Sequence, residues 1–263
     1  MSGTFPEFPG TVAVVSGAAQ GIGAAVARAL AARGVSVAAL DVRADALAQL
    51  AADAESAGAR IHPFAVDVAN ADAVRAAVER IDATLGPIGM LANVAGILRM
   101  ADASALSDDD WAHSFAVNTN GVFYLSRAVA QRMIPLRAGS IVTVGSNAAL
   151  VPRMRMAAYA ASKAAAHQFT KCLGLELAEY GIRCNIVAPG STDTQMQRQL
   201  WSDARSADAV IEGSLPAFRT GIPLRRIADP DDVAAAVLFL LSNASRHVAL
   251  HSFTVDGGAT LGA

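Results

Sequence analysis

The sequence predicts an α/β fold: a single doubly wound Rossmann domain over residues 1–263, with a seven-stranded parallel sheet covered by helices on both faces. Three observations predict it. Short apolar, β-branched runs alternate strictly with longer helical patterns. The strand candidates are apolar almost throughout, which is the mark of strands buried on both faces. Six of the strand candidates are followed at once by a glycine-bearing or polar element.

Taken in order, strands are expected at 11–16, 36–40, 61–66, 88–91, 140–144, 183–187 and 252–255. Helices are expected at 22–33, 44–57, 71–85, 108–136, 157–180 and 231–242. Segment 193–221 is polar and mixed, and breaks the alternation. With 53% hydrophobic and only 17% charged residues the chain can build a large core. The net charge of −2, with both signs mixed along the chain, supplies no basic stripe for nucleic acid. The longest strongly apolar run, 234–241, falls far short of the ~20 residues of a membrane span. Residues 1–10 have neither the basic nor the apolar region of a secretory signal. Cys172 and Cys184 lack metal-ligand spacing and fit two thiols in a reducing cytoplasm. A soluble, cytoplasmic protein without a metal is expected.

In an open parallel sheet, ligands bind beyond the carboxyl ends of the strands. Segments 17–23, Asp41, Asp67, 93–96, Ser146 and 189–194 would all face that edge. The first is a glycine-rich turn (Gly17, Gln20, Gly21, Ile22, Gly23) between strand and helix. There the backbone can approach a diphosphate and the helix N-terminus offers free N–H groups. Asp41 stands eighteen positions after Gly23, where a carboxylate accepts bonds from the ribose hydroxyls of NAD and repels the 2′-phosphate of NADP. Arg43 is the one nearby cation that favours NADP instead. Asp67 and Val68 could flank the adenine, and Asn93 could line the same groove; turn chemistry is the alternative for each.

Tyr159 and Lys163 are four apart on an expected helix and share a face. A free phenol, with a pKa of ~10, is a poor base, and a nearby ammonium favours phenolate. Such a pair can take or give a hydroxyl proton while hydride moves to or from a nicotinamide. Spacing alone would also fit a surface pair. Ser146, thirteen positions before Tyr159, could hold the reacting oxygen. Asn118 is an asparagine inside an expected helix, where it is mildly unfavourable, and a place in a water or proton network would explain it.

These residues resemble those of the short-chain dehydrogenase/reductase family over essentially the whole chain. The family's T-G-x-x-x-G-x-G pattern stands at residues 16–23 with serine for threonine, which keeps the hydroxyl. Its N-N-A-G element is Asn93-Val94-Ala95-Gly96, with only the first asparagine kept. The resemblance implies a catalytic tetrad of Asn118, Ser146, Tyr159 and Lys163, with the last two also touching the cofactor, NAD. It implies cofactor contacts from Pro189, Gly190, Thr192 and Thr194, the last at the nicotinamide carboxamide. It also implies a homotetramer and a substrate lid at 193–221. Stretches 95–100, 190–197, 200–201, 221–224 and 255–263 resemble a narrower branch. That branch oxidises a carboxylated cyclohexadiene diol with NAD in catechol siderophore biosynthesis. A carboxylate calls for a cation, and Arg99 and Arg153 are both candidates, each equally readable as a solvated charge. Met196 and Trp201 could cover the ring or simply pack in the core. The rivals are another reductase of the family, such as one acting on an oxoacyl thioester of a carrier protein with NADPH, and a non-catalytic dinucleotide sensor. Asp41 opposes the first and the complete tetrad opposes the second.

Overall fold

The computed structural model describes residues 7–199 and 207–262. Its strands are β1 (Val12–Ser16), β2 (Ser36–Asp41), β3 (Ile61–Ala65), β4 (Ile88–Asn93), β5 (Gly139–Val144), β6 (Ile182–Pro189) and β7 (Ser252–Val255). They form one sheet in the order β3-β2-β1-β4-β5-β6-β7, with every neighbouring pair parallel. The helices are α1 (Gly21–Ala31), α2 (Ala44–Ser56), α3 (Ala71–Leu85), α4 (Asp108–Phe115), α5 (Gly121–Leu136), α6 (Ala157–Leu177), α7 (Gln195–Arg198), α8 (Ala207–Glu212) and α9 (Pro230–Leu241).

Period-two alternation divides the core between the two faces. Ala13 and Val15 of β1 join a cluster with Val26 and Leu30 of α1 and Val233, Val237 and Leu241 of α9. Val12 and Val14 face the opposite cluster, with Val78 and Ile81 of α3 and Leu125, Val129 and Met133 of α5. Each such fully buried side chain contributes roughly 1.5–3 kcal/mol, so both helical layers are fixed against the sheet. The chain runs outward from β1 through β2 and β3, then returns to β4 on the other side of β1. That reversal opens a crevice at the carboxyl edge between β1 and β4.

Most expected boundaries lie within two residues of those observed, and 71–85 and 252–255 coincide with α3 and β7. The expected helix 108–136 is interrupted. Between α4 and α5 the backbone takes a π-helical turn at Ala116–Asn120, in which the Gly121 N–H reaches back to the Ala116 carbonyl. Such a wide turn inserts an extra residue and swings a side chain off the regular helical face. Here the displaced residue is Asn118. The expected helix 157–180 ends at Leu177, and its last residues tighten into a 3₁₀ turn closed by left-handed Gly181. No helix among the described residues is long and apolar enough to cross a membrane, and no metal-binding cluster of His, Cys, Asp or Glu occurs among them.

Candidate active site

A cleft of about 430 Å³ lies at the carboxyl edge. Gly17, Gln20, Gly21, Ile22, Gly23, Asp41, Asp67, Val68, Ser146, Arg153, Tyr159, Lys163, Pro189, Gly190, Thr192, Thr194 and Met196 all line it. With Val94, Ala95 and Gly96 after β4, residues from six strand ends meet in one cavity. Trp201 lies outside the described residues.

The nucleotide side is shaped by backbone. Gly17 has φ +66°, and a Cβ there would stand 2.7 Å from the Ala95 backbone, so only glycine lets the turn pass the end of β4. The Ser16 hydroxyl accepts from the amides of Val94 (3.0 Å) and Ala95 (3.2 Å), locking the two strand ends together. No side chain caps α1 and its first turn holds no acidic residue. Its leading amides thus present unpaired donors and the positive end of the helix dipole to the cleft. Asp41 accepts from the Ala19 amide (3.1 Å) and from the Arg43 amide (3.1 Å), which fixes its carboxylate toward the turn. The Arg43 side chain is occupied as well, bonding Asp41 (3.4 Å) and the Gln20 amide oxygen (2.7 Å). An anion-receptive helix end beside an oriented carboxylate fits a dinucleotide diphosphate followed by a ribose.

The catalytic side is shaped by α6. Its alanine-rich sequence is a strong helix former, and it carries Tyr159 and Lys163 on one face. Lys163 is buried, with Nζ donating to the Val144 carbonyl at 2.9 Å, and burial brings its pKa down to about 8. The Tyr159 ring lies 5.9 Å from that ammonium. Burial raises the Tyr159 pKa, opposed by a hydrogen bond with Ser146. The sequence led to the expectation that the nearby ammonium lowers this pKa; burial outweighs it, and the Ser146 hydroxyl is the partner that opposes the rise.

Three expectations are revised by position. Asn118 is buried behind the cleft: its Oδ1 accepts from the Ile97 amide (2.8 Å), and its Nδ2 donates to the Ile97 carbonyl (3.0 Å) and to Ser162 Oγ (3.0 Å). Both amide hydrogens are used, so the side chain acts as a clasp on the loop after β4, with only an oxygen lone pair left for water. Asn93 also lies behind the cleft, where it donates to Ser126 (2.8 Å) and Thr143 (3.4 Å); Val94, Ala95 and Gly96 line the groove in its place. Thr194 lines the cleft as expected; its hydroxyl caps α7 by accepting from the Gln197 amide at 3.2 Å, which leaves its hydrogen to donate. Arg99 lies outside the cleft, 48% exposed and paired with Asp110 at 3.2 Å. Arg153 is the arginine inside it: half-buried, with burial lowering its pKa and Asp256 opposing that shift. Met156, His113, Asn147 and Arg219 also line the cleft and were not singled out from sequence. Asn147 directly follows Ser146, a proximity legible in principle; Arg219 comes from the mixed segment after β6, where no pattern marks it.

The geometry defines a dinucleotide-binding oxidoreductase, and the chain belongs to the short chain dehydrogenase family, whose model matches residues 11–205. Its members bind NAD or NADP. The 2,3-dihydro-2,3-dihydroxybenzoate dehydrogenase of Bacillus subtilis (strain 168) is 54% identical over 96% of this chain and 97% of its own. The enzyme of that name from Escherichia coli (strain K12) is 42% identical over 98% of this chain and 100% of its own. Among solved structures, a gluconate 5-dehydrogenase from Burkholderia cenocepacia J2315, in complex with NADP and tartrate, matches with a TM-score of 0.89 at 35% identity, over 96% of each chain.

Proposed function

We propose that this chain oxidises 2,3-dihydro-2,3-dihydroxybenzoate to 2,3-dihydroxybenzoate with NAD as acceptor, a step toward a catecholate siderophore. The observation that carries the reading is the meeting of Ser146, Tyr159, Lys163 and Arg153 in one cleft, in a chain so similar to two dehydrogenases of that name. A proton acceptor, an oxygen holder and a half-buried cation are what a carboxylated cyclic diol requires.

Ser146 holds the C3 hydroxyl oxygen of the substrate, and Tyr159 as phenolate takes its proton. Residues from Gly17 to Asp41 and from Pro189 to Thr194 would hold the nicotinamide cofactor, which would supply the acceptor for the hydride from C3. Lys163, anchored on the Val144 carbonyl with its ammonium 5.9 Å from the Tyr159 ring, would also bond the cofactor ribose. Asn118 holds the loop after β4 through Ile97. The ketone formed tautomerises to the catechol, and the aromaticity gained draws the reaction forward. Arg153 binds the ring carboxylate. The described parts of the expected lid, 193–199 and 207–221, bring Met196 and Arg219 to the cleft.

Asp41 supports NAD over NADP, because its carboxylate faces the turn and the one neighbouring cation, Arg43, is already bonded to it and to Gln20. The same feature argues against an NADPH-dependent oxoacyl-carrier-protein reductase. The free thiols Cys172 and Cys184 fit a cytoplasmic setting. The family resemblance supports a homotetramer. The test is the rate of NADH formation with the dihydrodiol, with simple cyclic alcohols and, in reverse, with an oxoacyl thioester. Turnover confined to the dihydrodiol supports the reading; faster turnover of another class overturns it.

A further inference from the structure

Beyond Tyr159 and Lys163, the same face of α6 carries a third polar residue one turn further on, His167. It is 5% exposed and sits behind the cleft, not among its lining residues. Its Nε2 accepts the backbone N–H of Ser146 at 3.3 Å. An acceptor nitrogen carries no proton, so the neutral ring must carry its hydrogen on Nδ1, a buried atom with no hydrogen-bond partner in the structure. A histidine used only to fill space would not need its acceptor aimed at a strand-end amide.

The fit is reciprocal. A Cβ built on Gly145 would stand 1.7 Å from Nε2 and 2.4 Å from Cδ2 of the ring, so the imidazole occupies the space of any side chain at residue 145. The segment just past β5 is thereby held from three sides. Lys163 Nζ bonds the Val144 carbonyl at 2.9 Å, the Gly145 amide bonds the Val187 carbonyl at 2.8 Å, and His167 takes the Ser146 amide. The side chain of Ser146 adds one local bond, accepting from the Ala148 amide at 3.1 Å. Three consecutive turns of α6 thus present Tyr159, Lys163 and His167 toward one short piece of backbone, and that piece carries the Ser146 hydroxyl, which lines the cleft with Tyr159 and opposes the rise in its pKa.

We propose that His167 is a positioning residue: its unprotonated Nε2 holds the Ser146 amide and so sets where the Ser146 hydroxyl meets that of Tyr159. The proposal rests on the dehydrogenase reading for its kinetic consequence, but the hydrogen bond itself does not.

The test has two arms. In the first, imidazole ¹⁵N chemical shifts of the full chain are measured at neutral pH without substrate. A bare Nε2 and a protonated Nδ1 are expected; the reverse tautomer, or an imidazolium, overturns the proposal whatever the substrate. In the second, His167→Leu removes the acceptor and His167→Gln returns one at similar reach. His167→Leu is expected to lower kcat on the order of 100-fold, as small misplacements of reacting groups do. Its KM for NAD should stay within about twofold, because Gly17 to Asp41 are untouched. His167→Gln should recover kcat to within about threefold of wild type through a replacement hydrogen bond. Equal losses in the two variants would assign His167 to packing alone and overturn the proposal, as would wild-type kcat in His167→Leu. A wild-type chain inactive on the dihydrodiol would sink the substrate reading and leave the tautomer measurement to decide for His167.

Discussion

The nucleotide side of the cleft, from Gly17 to Asp41, is built from backbone, whereas the catalytic side, from Ser146 to Lys163, is built from side chains gathered at a single helix. On the first side a positive-φ glycine, an uncapped helix start and one carboxylate make the ligand-facing surface. On the second, a phenol, an ammonium and a hydroxyl keep their positions because α6 and the end of β5 bond each other. A backbone site tolerates loss of a nearby side chain with a change in affinity. A side-chain site loses chemistry outright.

That contrast breaks most sharply at Tyr159. Tyr159→Phe deletes one oxygen and should cut kcat by about 10³-fold or more, at the upper part of what a positioned proton acceptor contributes. NADH affinity, followed by fluorescence titration, should change little. A variant that keeps near-wild-type turnover would remove Tyr159 from the chemistry.

Asp41→Ala attacks the other side and should act on affinity. Loss of a charged acceptor for the ribose hydroxyls should raise KM for NAD roughly tenfold or more, with kcat nearly kept. Arg43, released from Asp41, should then favour NADP, so initial rates with the two cofactors should converge. An unchanged preference would place the selectivity elsewhere.

A further effect concerns stability. His167 is buried beside Lys163 and Lys171, and its pKa is pushed down to about 4 from 6.5, chiefly by burial. The unfolded chain therefore binds this proton first, so the contribution is intact above pH 6.5 and is lost as pH falls toward 4. The full loss is on the order of 3 kcal/mol. Urea midpoints measured across that window should fall for wild type and flatten in His167→Leu. Parallel curves would show that the ring titrates normally.

Much of this was legible in the sequence because its physics is local. The turn at residues 16–23 needs glycines at fixed positions, and the strand that precedes it needs apolar residues on both faces. Tyr159 and Lys163 announce a shared face by their spacing, although only the sheet edge distinguishes them from a surface pair. What the sequence hid is what long-range packing decides. The π turn at Asn118 exists because its amide reaches Ile97 and Ser162, and no periodicity encodes that reach. Arg99 and Arg153 read alike as isolated arginines, until Asp110 claims one and burial holds the other in the cleft. Nothing in the spacing marks His167, since its partner is a backbone amide twenty-one residues away.

The central claim is that the side-chain half of the cleft recognises a carboxylated diol through Arg153. It is tested most directly by comparing kcat/KM for the dihydrodiol acid and for the same diol without its carboxylate, in wild type, Arg99→Ala and Arg153→Ala. Wild type and Arg99→Ala should both prefer the acid by roughly 30-fold or more, the scale of a charge pair shielded from water. Arg153→Ala should lose most of that preference while turning over the uncharged diol at close to the wild-type rate. Full retention of the preference in Arg153→Ala would contradict the account and move the carboxylate to another cation in the cleft.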